Sequence, residues 1–343
     1  MPRLHESWEP RIAEWLRQNH QIREVSIAGA LSGGNANVTL RLDTADGPMI
    51  LRTPPAAAVS SNSHRGIERE ARVLRALSGR ARVPDFIAWC DDSAPIGSPF
   101  LVSGFVEGAA ITEELPEAYA DSVDSVNRLG EELVAALGDI HCQPWRELGL
   151  EDFGRPDGYL LRQIERWSAV RERDSVRELP QMQALAVWLL DNIPKHAHAA
   201  LTHNDYHLDN TLCSVHEPRL TAIIDWELAT IGDPLADLAL LLMFWGDKRA
   251  AEPPGFAHVQ AVSRRDGVHS RRQLAAAWSE ITGISTEHLD FYMCYAFWRL
   301  AAIVEGAYML YHAGKTDTDY ARKLEYDVPA LLREAAAAAR GDW

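Results

Sequence analysis

The stretch Leu201-Thr202-His203-Asn204-Asp205-Tyr206-His207-Leu208-Asp209-Asn210, continued to Ile223-Ile224-Asp225-Trp226, organises the reading of this chain. It carries one carboxylate (Asp205), an amide five residues later (Asn210), and a second carboxylate (Asp225) closing a short apolar strand at Ile223-Ile224. Carboxylate and amide oxygens are hard donors that suit Mg²⁺. Asn210 and Asp225 therefore read as metal ligands. Asp205 is left to accept a proton from a hydroxyl, or to orient it.

The same set, an Asp, an Asn five residues on and a later Asp at a strand end, serves phosphoryl transfer in protein kinases. Such a site also needs a surface for the nucleotide, and the preceding sequence supplies candidates. Ser7–Asn19 has apolar residues at helical spacing, with Ser7 as N-cap and Pro10 in the first turn. Val25–Leu31, Val38–Leu42 and Met49–Arg52 read as strands, the last two joined by the turn dipeptide Asp46-Gly47. Between the first two lies Ser32-Gly33-Gly34-Asn35, whose small residues let backbone N–H groups approach a phosphate. Pro54–Ser63 reads as a loop, Arg65–Leu77 as a helix, and Phe86–Cys90 and Phe100–Val106 as strands.

From Glu107 onward the pattern is helical, with the apolar run Leu133–Ile140 and helices over Tyr159–Val170, Met182–Ile193, Pro234–Phe244, Arg271–Thr282, Leu289–Tyr311 and Tyr320–Ala338. Pro253–Arg265 reads as the most mobile loop. The expected architecture is α+β and bilobal: a small antiparallel β N-lobe over residues 1–104 and a larger, mostly helical C-lobe over 105–343.

The chain has 343 residues, 47% of them hydrophobic and 24% charged, which is ordinary for a globular protein with a sizeable core. A formal net charge of −15 argues against nucleic-acid or anionic-membrane partners. The four cysteines are scattered without a CxxC pair, as expected for a reducing compartment. No leader-like apolar segment opens the chain, and the longest apolar run, Leu235–Trp245, is too short to span a bilayer. A cytoplasmic protein is expected, of no evident oligomeric state.

A nucleotide site also needs a cation against the phosphates. No lysine precedes Lys195, so that role falls to Arg52 at the end of its strand, with Glu70 preferred over Glu68 as its partner. Glu227 and His207 are candidates for substrate or phosphate contact. His203 reads as a brace for the loop, Trp226 as core, Asp233 as a helix N-cap and Asp237 as a first-turn residue facing the helix dipole. A rival reading is a zinc hydrolase, since His203, Asp205, His207 and Asp209 would share one face of a strand.

His203 through Asn210, with Ile224-Asp225-Trp226-Glu227, resembles the aminoglycoside phosphotransferase and choline kinase superfamily. The finer resemblance is to the branch fused to acyl-CoA dehydrogenases in animals. It is carried by Leu31 through Asn37, Leu51-Arg52-Thr53-Pro54-Pro55, Arg69-Glu70, Phe153-Gly154-Arg155-Pro156, Arg162 through Trp167, and Asp225 through Asp237. The resemblance implies a protein-kinase-like bilobal fold and transfer of the γ-phosphate of ATP or GTP to a small-molecule hydroxyl, with Mg²⁺. It implies Asp205 as the catalytic residue and Asn210 and Asp225 as metal ligands. It places Ser32, Gly33, Gly34 and Asn35 over the phosphates, Arg52 and Glu70 as the phosphate-side ion pair, and Ser103 and Phe105 in the hinge touching the base. The chain departs from the pattern in using Arg for the usual Lys and in its short glycine loop. Acceptors of the superfamily include aminoglycosides, macrolides, amino alcohols and sugars; the branch points to hydroxyacyl groups, as CoA thioesters. A nucleotide-binding protein without catalysis is a further alternative.

Overall fold

The structure is a computed structural model. It describes residues 3–31, 37–55, 61–120, 122–174, 176–195, 198–246 and 253–343. The chain divides into two compact units, Met1–Gly108 with Thr221–Ala229, and Ala109–Leu220 with Thr230–Trp343.

The first unit opens with helix α1 (Arg3–His20), followed by β1 (Ser26–Ala30), β2 (Val38–Thr44), β3 (Gly47–Thr53), α2 (Ser61–Leu77), β4 (Phe86–Cys90) and β5 (Phe100–Gly104). The strands form one antiparallel sheet in the order β1-β2-β3-β5-β4. Alternation along β2 and β3 sends Leu40, Leu42, Met49 and Leu51 to one face, where they pack with Trp8, Ile12 and Leu16 of α1. The hairpin closes at Gly47, whose φ of 108° requires glycine. Helix α1 starts upstream of Ser7, so Ser7 is not its cap and Pro10 lies inside it. Helical backbone continues through Pro10 at the loss of one internal hydrogen bond.

Thr221–Ala229 belongs to this unit because its residues pack there. Ile223 donates its N–H to the Arg82 carbonyl at 2.7 Å, and the short 3-10 turn Trp226–Leu228 lies against α2. Gly66 permits that approach: a Cβ there would stand 3.2 Å from Glu227 Cβ. Trp226 is fully buried and donates to Ile223 O at 3.1 Å.

The second unit contains α3 (Val123–His141), α4 (Tyr159–Asp174), α5 (Pro180–Asp191), β6 (Ala200–Thr202), β7 (Thr211–Cys213), the start of β8 (Leu220–Ile223), β9 (Thr230–Gly232), α6 (Pro234–Phe244), α7 (Arg271–Thr282), α8 (Leu289–His312) and α9 (Asp319–Ala338). Its core is α8 packed on α6 and α9. Every residue of α6 is buried, which explains why its sequence is apolar on all faces but for Asp237 in the first turn. Pro253–Arg265 is not an open loop. Val259, Gln260, Val262 and Ser263 are buried, and Gly255 donates its N–H to both carboxylate oxygens of Asp327 at 3.0 Å. The Pro/Gly signal marked irregular backbone correctly but said nothing of its packing.

Candidate active site

The organising stretch leaves the sheet at Thr202, where β6 pairs antiparallel with β9. It is not a strand beyond that point. Leu208–Asn210 forms a 3-10 turn, so His203, Asp205, His207 and Asp209 do not share a strand face. The geometry required by the zinc reading is absent, and no cluster of three or more metal-ligating side chains of the His/Cys/Asp/Glu kind occurs among the described residues.

Three side chains hold the loop. Asp237 of α6 accepts the N–H of His203 at 2.5 Å and of Asn204 at 2.7 Å. Its role is therefore larger than a dipole contact. It also lies 3.5 Å from His141 Nε2, whose ring accepts from Trp278 Nε1 at 3.2 Å. His203 is buried and its Nδ1 accepts the Asp205 N–H at 3.3 Å, which is the bracing expected of it. Gln260, from the segment expected to be mobile, accepts the Leu208 N–H at 2.9 Å.

Within this loop, Asn210 Nδ2 donates to the Asp205 carbonyl at 2.8 Å and to Asp205 Oδ2 at 2.9 Å. Both amide hydrogens thus face Asp205, and the Asn210 amide oxygen is left as an acceptor. His207 stands beside them, with Nε2 3.6 Å from Asp205 Oδ1 and 3.4 Å from Asn210 Nδ2. Arg299 of α8 reaches the Asn204 carbonyl at 3.5 Å. Burial works against its charge, but Tyr295, Tyr159, Asp237 and Asp205 outweigh burial and hold it protonated.

In the first unit, Arg52 Nη1 donates to both oxygens of Glu70, at 2.6 and 2.7 Å, and Nη2 donates to Asp225 Oδ1 at 3.1 Å. Register explains the placement. Arg52 pairs with Thr39 and Leu101 across the sheet, at a strand position whose neighbours Leu51 and Thr53 are buried on the other face. Burial pushes the Glu70 carboxyl up to about 7, with Asp225 adding to the rise and Arg52 opposing it. Asp225 is left-handed, φ 66°, a conformation Asp tolerates better than most residues. Asp225 Oδ1 is engaged by Arg52, and its side chain is 30% exposed. A hard carboxylate oxygen there and a hard amide oxygen at Asn210 are donors of the kind Mg²⁺ takes.

Glu227 accepts from Asn37 Nδ2 at 2.8 Å. Ser103 is buried in β5 opposite Ile50, and Phe105 lies under the Arg41 guanidinium, 5.1 Å from it. Ser32, Gly33, Gly34 and Asn35 lie outside the described residues. The aromatic residues Phe291, Tyr292, Tyr295 and Trp298 are core. Sequence reasoning missed Tyr159, Asn204, Gln260 and Arg299. The signal for Arg299 was present: a lone cation inside an otherwise apolar helical run has to find buried partners.

The Phosphotransferase enzyme family matches residues 28–272. Acyl-CoA dehydrogenase family member 11 of Gallus gallus is 31% identical over 318 residues, covering 90% of this chain and 40% of the relative. The chain thus spans less than half of that curated relative. The crystal structure of a Ralstonia eutropha protein, provisionally designated an aminoglycoside phosphotransferase, is 27% identical with a TM-score of 0.81, covering 96% of this chain and 98% of that one. The GDP complex of aminoglycoside 2'-phosphotransferase-IIIa, at 16% identity and a TM-score of 0.60 over 96% of this chain and 98% of the other, shares the fold. With an antiparallel N-terminal sheet, a helical remainder and a family match over most of its length, this chain is a kinase-like α+β protein that belongs to the Phosphotransferase enzyme family.

Proposed function

We propose that the protein is a small-molecule kinase that transfers the γ-phosphate of ATP or GTP to an acceptor hydroxyl. The observation that carries this reading is the Asp205–Asn210 pair. The amide hydrogens of Asn210 hold the carboxylate of Asp205 and leave a hard oxygen for a cation. In the step proposed, the acceptor oxygen forms a bond to the γ-phosphorus while the bond from that phosphorus to the β–γ bridging oxygen breaks. The electron pair leaves with the nucleoside diphosphate, and the acceptor proton passes to Asp205 or through it to solvent.

Asn210 and Asp225 are the proposed Mg²⁺ ligands, and Mg²⁺ when bound neutralises phosphate charge. Arg52, oriented by Glu70, is the proposed phosphate-side cation, with Ser32, Gly33, Gly34 and Asn35 as backbone donors. Ser103 and Phe105 are proposed at the base, and His207 and Glu227 at substrate or phosphate. The free thiols Cys90, Cys142, Cys213 and Cys294 fit a cytoplasmic setting, and among the described residues no helix is long and apolar enough to cross a membrane.

The test is release of ADP or GDP with Mg²⁺, screened across aminoglycosides, amino alcohols, sugars and hydroxyacyl-CoAs. Turnover is expected with one acceptor class and is expected to fall at least about 100-fold in Asp205→Ala with its folding transition preserved. Nucleotide binding without turnover for any acceptor would instead leave a nucleotide-binding protein. A second reading, a hydroxyacyl-CoA kinase, is favoured by the match to an acyl-CoA dehydrogenase family member, and the same screen separates it.

A further inference from the structure

Asn204 is buried, and every polar group it has is engaged. Its N–H goes to Asp237 Oδ1 at 2.7 Å, its Oδ1 accepts from Tyr159 Oη at 2.8 Å, and its Nδ2 donates to Thr202 Oγ1 at 3.2 Å. Its carbonyl faces Arg299 Nη2 at 3.5 Å. The backbone there is left-handed, φ 66°, where glycine is most at ease and Asn is tolerated because its short amide can bond locally. The sequence spends that tolerance on a side chain that reaches another helix. Asp205 follows immediately, so the rotation at 204 sets the direction in which the Asp205 carboxylate leaves the loop.

The surroundings are built for this contact. Gly232 on β9 makes room for the Tyr159 ring, since a Cβ there would stand 3.1 Å from Tyr159 Cζ and 3.0 Å from Thr202 Oγ1. Thr202 Oγ1 donates in turn to Thr230 O at 3.0 Å, so it presents its remaining lone pairs to Asn204. Burial pushes the Tyr159 hydroxyl far up, so it stays a neutral donor throughout the working range.

We infer that Asn204 is a positioning residue for Asp205, held by Tyr159 through its side chain and by Arg299 through its carbonyl. The inference rests on the reading of Asp205 as the catalytic carboxylate. Asn204→Gly keeps the left-handed backbone and deletes the side-chain tether. Tyr159→Phe deletes only the donor hydroxyl.

The experiment measures nucleoside diphosphate release from saturating ATP or GTP with Mg²⁺, using the acceptor found in the screen or water, for Asp205→Ala, Asn204→Gly, Tyr159→Phe and the Asn204→Gly/Tyr159→Phe double variant. The expected result is loss of turnover in Asp205→Ala. Each single tether variant is expected to lower kcat about 10- to 100-fold, the scale of a small misplacement of a reacting group, with KM for nucleotide unchanged. The double variant is expected to be no slower than Asn204→Gly, because both changes cut one bond. Full kcat in the tether variants, a fall in thermal midpoint alone, or multiplying effects in the double variant would overturn the inference and leave the reading of Asp205 standing. Undiminished turnover in Asp205→Ala would remove that reading and the inference together. Tyr159→Phe, which removes a single atom, keeps the comparison available should Asn204→Gly fold poorly.

Discussion

Arg52 shows why residue identity matters beyond charge. Its fork spans Glu70 and Asp225 at once, which an ammonium on a flexible stem cannot reproduce with the same geometry. Arg52→Lys is expected to weaken nucleotide affinity about tenfold, the loss of roughly one charge-assisted bond. Thermal-shift titration with ATP and GTP measures it, and unchanged affinity would remove Arg52 from the phosphate side. Glu70 carries a second prediction at this scale. Burial raises its carboxyl from the ordinary 4.5 to about 7. Between those values the folded protein holds a proton that the unfolded chain has released, so stability from this group is full below about 4.5 and lost as pH rises through about 7. In metal-free buffer, the stability of the wild type relative to Glu70→Gln is expected to decline across that window. Urea midpoints at several pH values check it, and a flat or rising difference contradicts it.

At the scale of elements, local sequence signals and packing agree most closely in α7. Ser270 accepts from the Gln273 N–H, and Gln273 reaches back to the Ser270 N–H, a complete capping box, while Gly283 in the left-handed region ends the helix. Ser270→Ala is expected to cost about 1 kcal/mol by removing the acceptor for an otherwise orphan N–H. Chemical denaturation reads the loss directly. Helix α3 illustrates the opposite dependence. Gly130 reads as a weak helix former, yet a Cβ there would stand 2.8 Å from the Trp245 ring and 3.2 Å from Leu274 Cδ2. Close packing demands the glycine. Gly130→Ala is expected to destabilise by about 1–3 kcal/mol despite the better helix propensity of alanine. An unchanged or raised denaturation midpoint would show that Trp245 can yield.

At the scale of the whole molecule, chain order and compact units do not coincide. Thr221–Ala229 follows more than a hundred residues of the helical unit yet belongs with the N-terminal one. It brings Trp226 into that unit's core, and it brings Asp225 to Arg52. A fragment ending at Gly108 therefore lacks a buried tryptophan and a carboxylate facing a half-buried guanidinium. Such a fragment is expected to show no cooperative unfolding transition by circular dichroism. A fragment that unfolds cooperatively would mean that the returning segment is dispensable to this unit.

Much of this was legible in residues alone. Alternation of period two marked Val38–Leu42 as a strand, and helical spacing marked α6, with Asp233 as its N-cap, and α7. The Asp205, Asn210 and Asp225 spacing marked the candidate site, because backbone periodicity and ligand chemistry are local properties. Tertiary structure alone decided which partners those residues meet. Asp237 looked like a first-turn carboxylate until the loop at His203 and Asn204 was seen to deliver two N–H groups to it. Pro253–Arg265 looked mobile until Gln260 and the Asp327 contact closed it in. Arg299 and Tyr159 lie far from Asp205 in sequence and gain meaning only where α4 and α8 bring them to its loop. Burial and pairing depend on contacts between distant segments, and a linear pattern does not encode those distances.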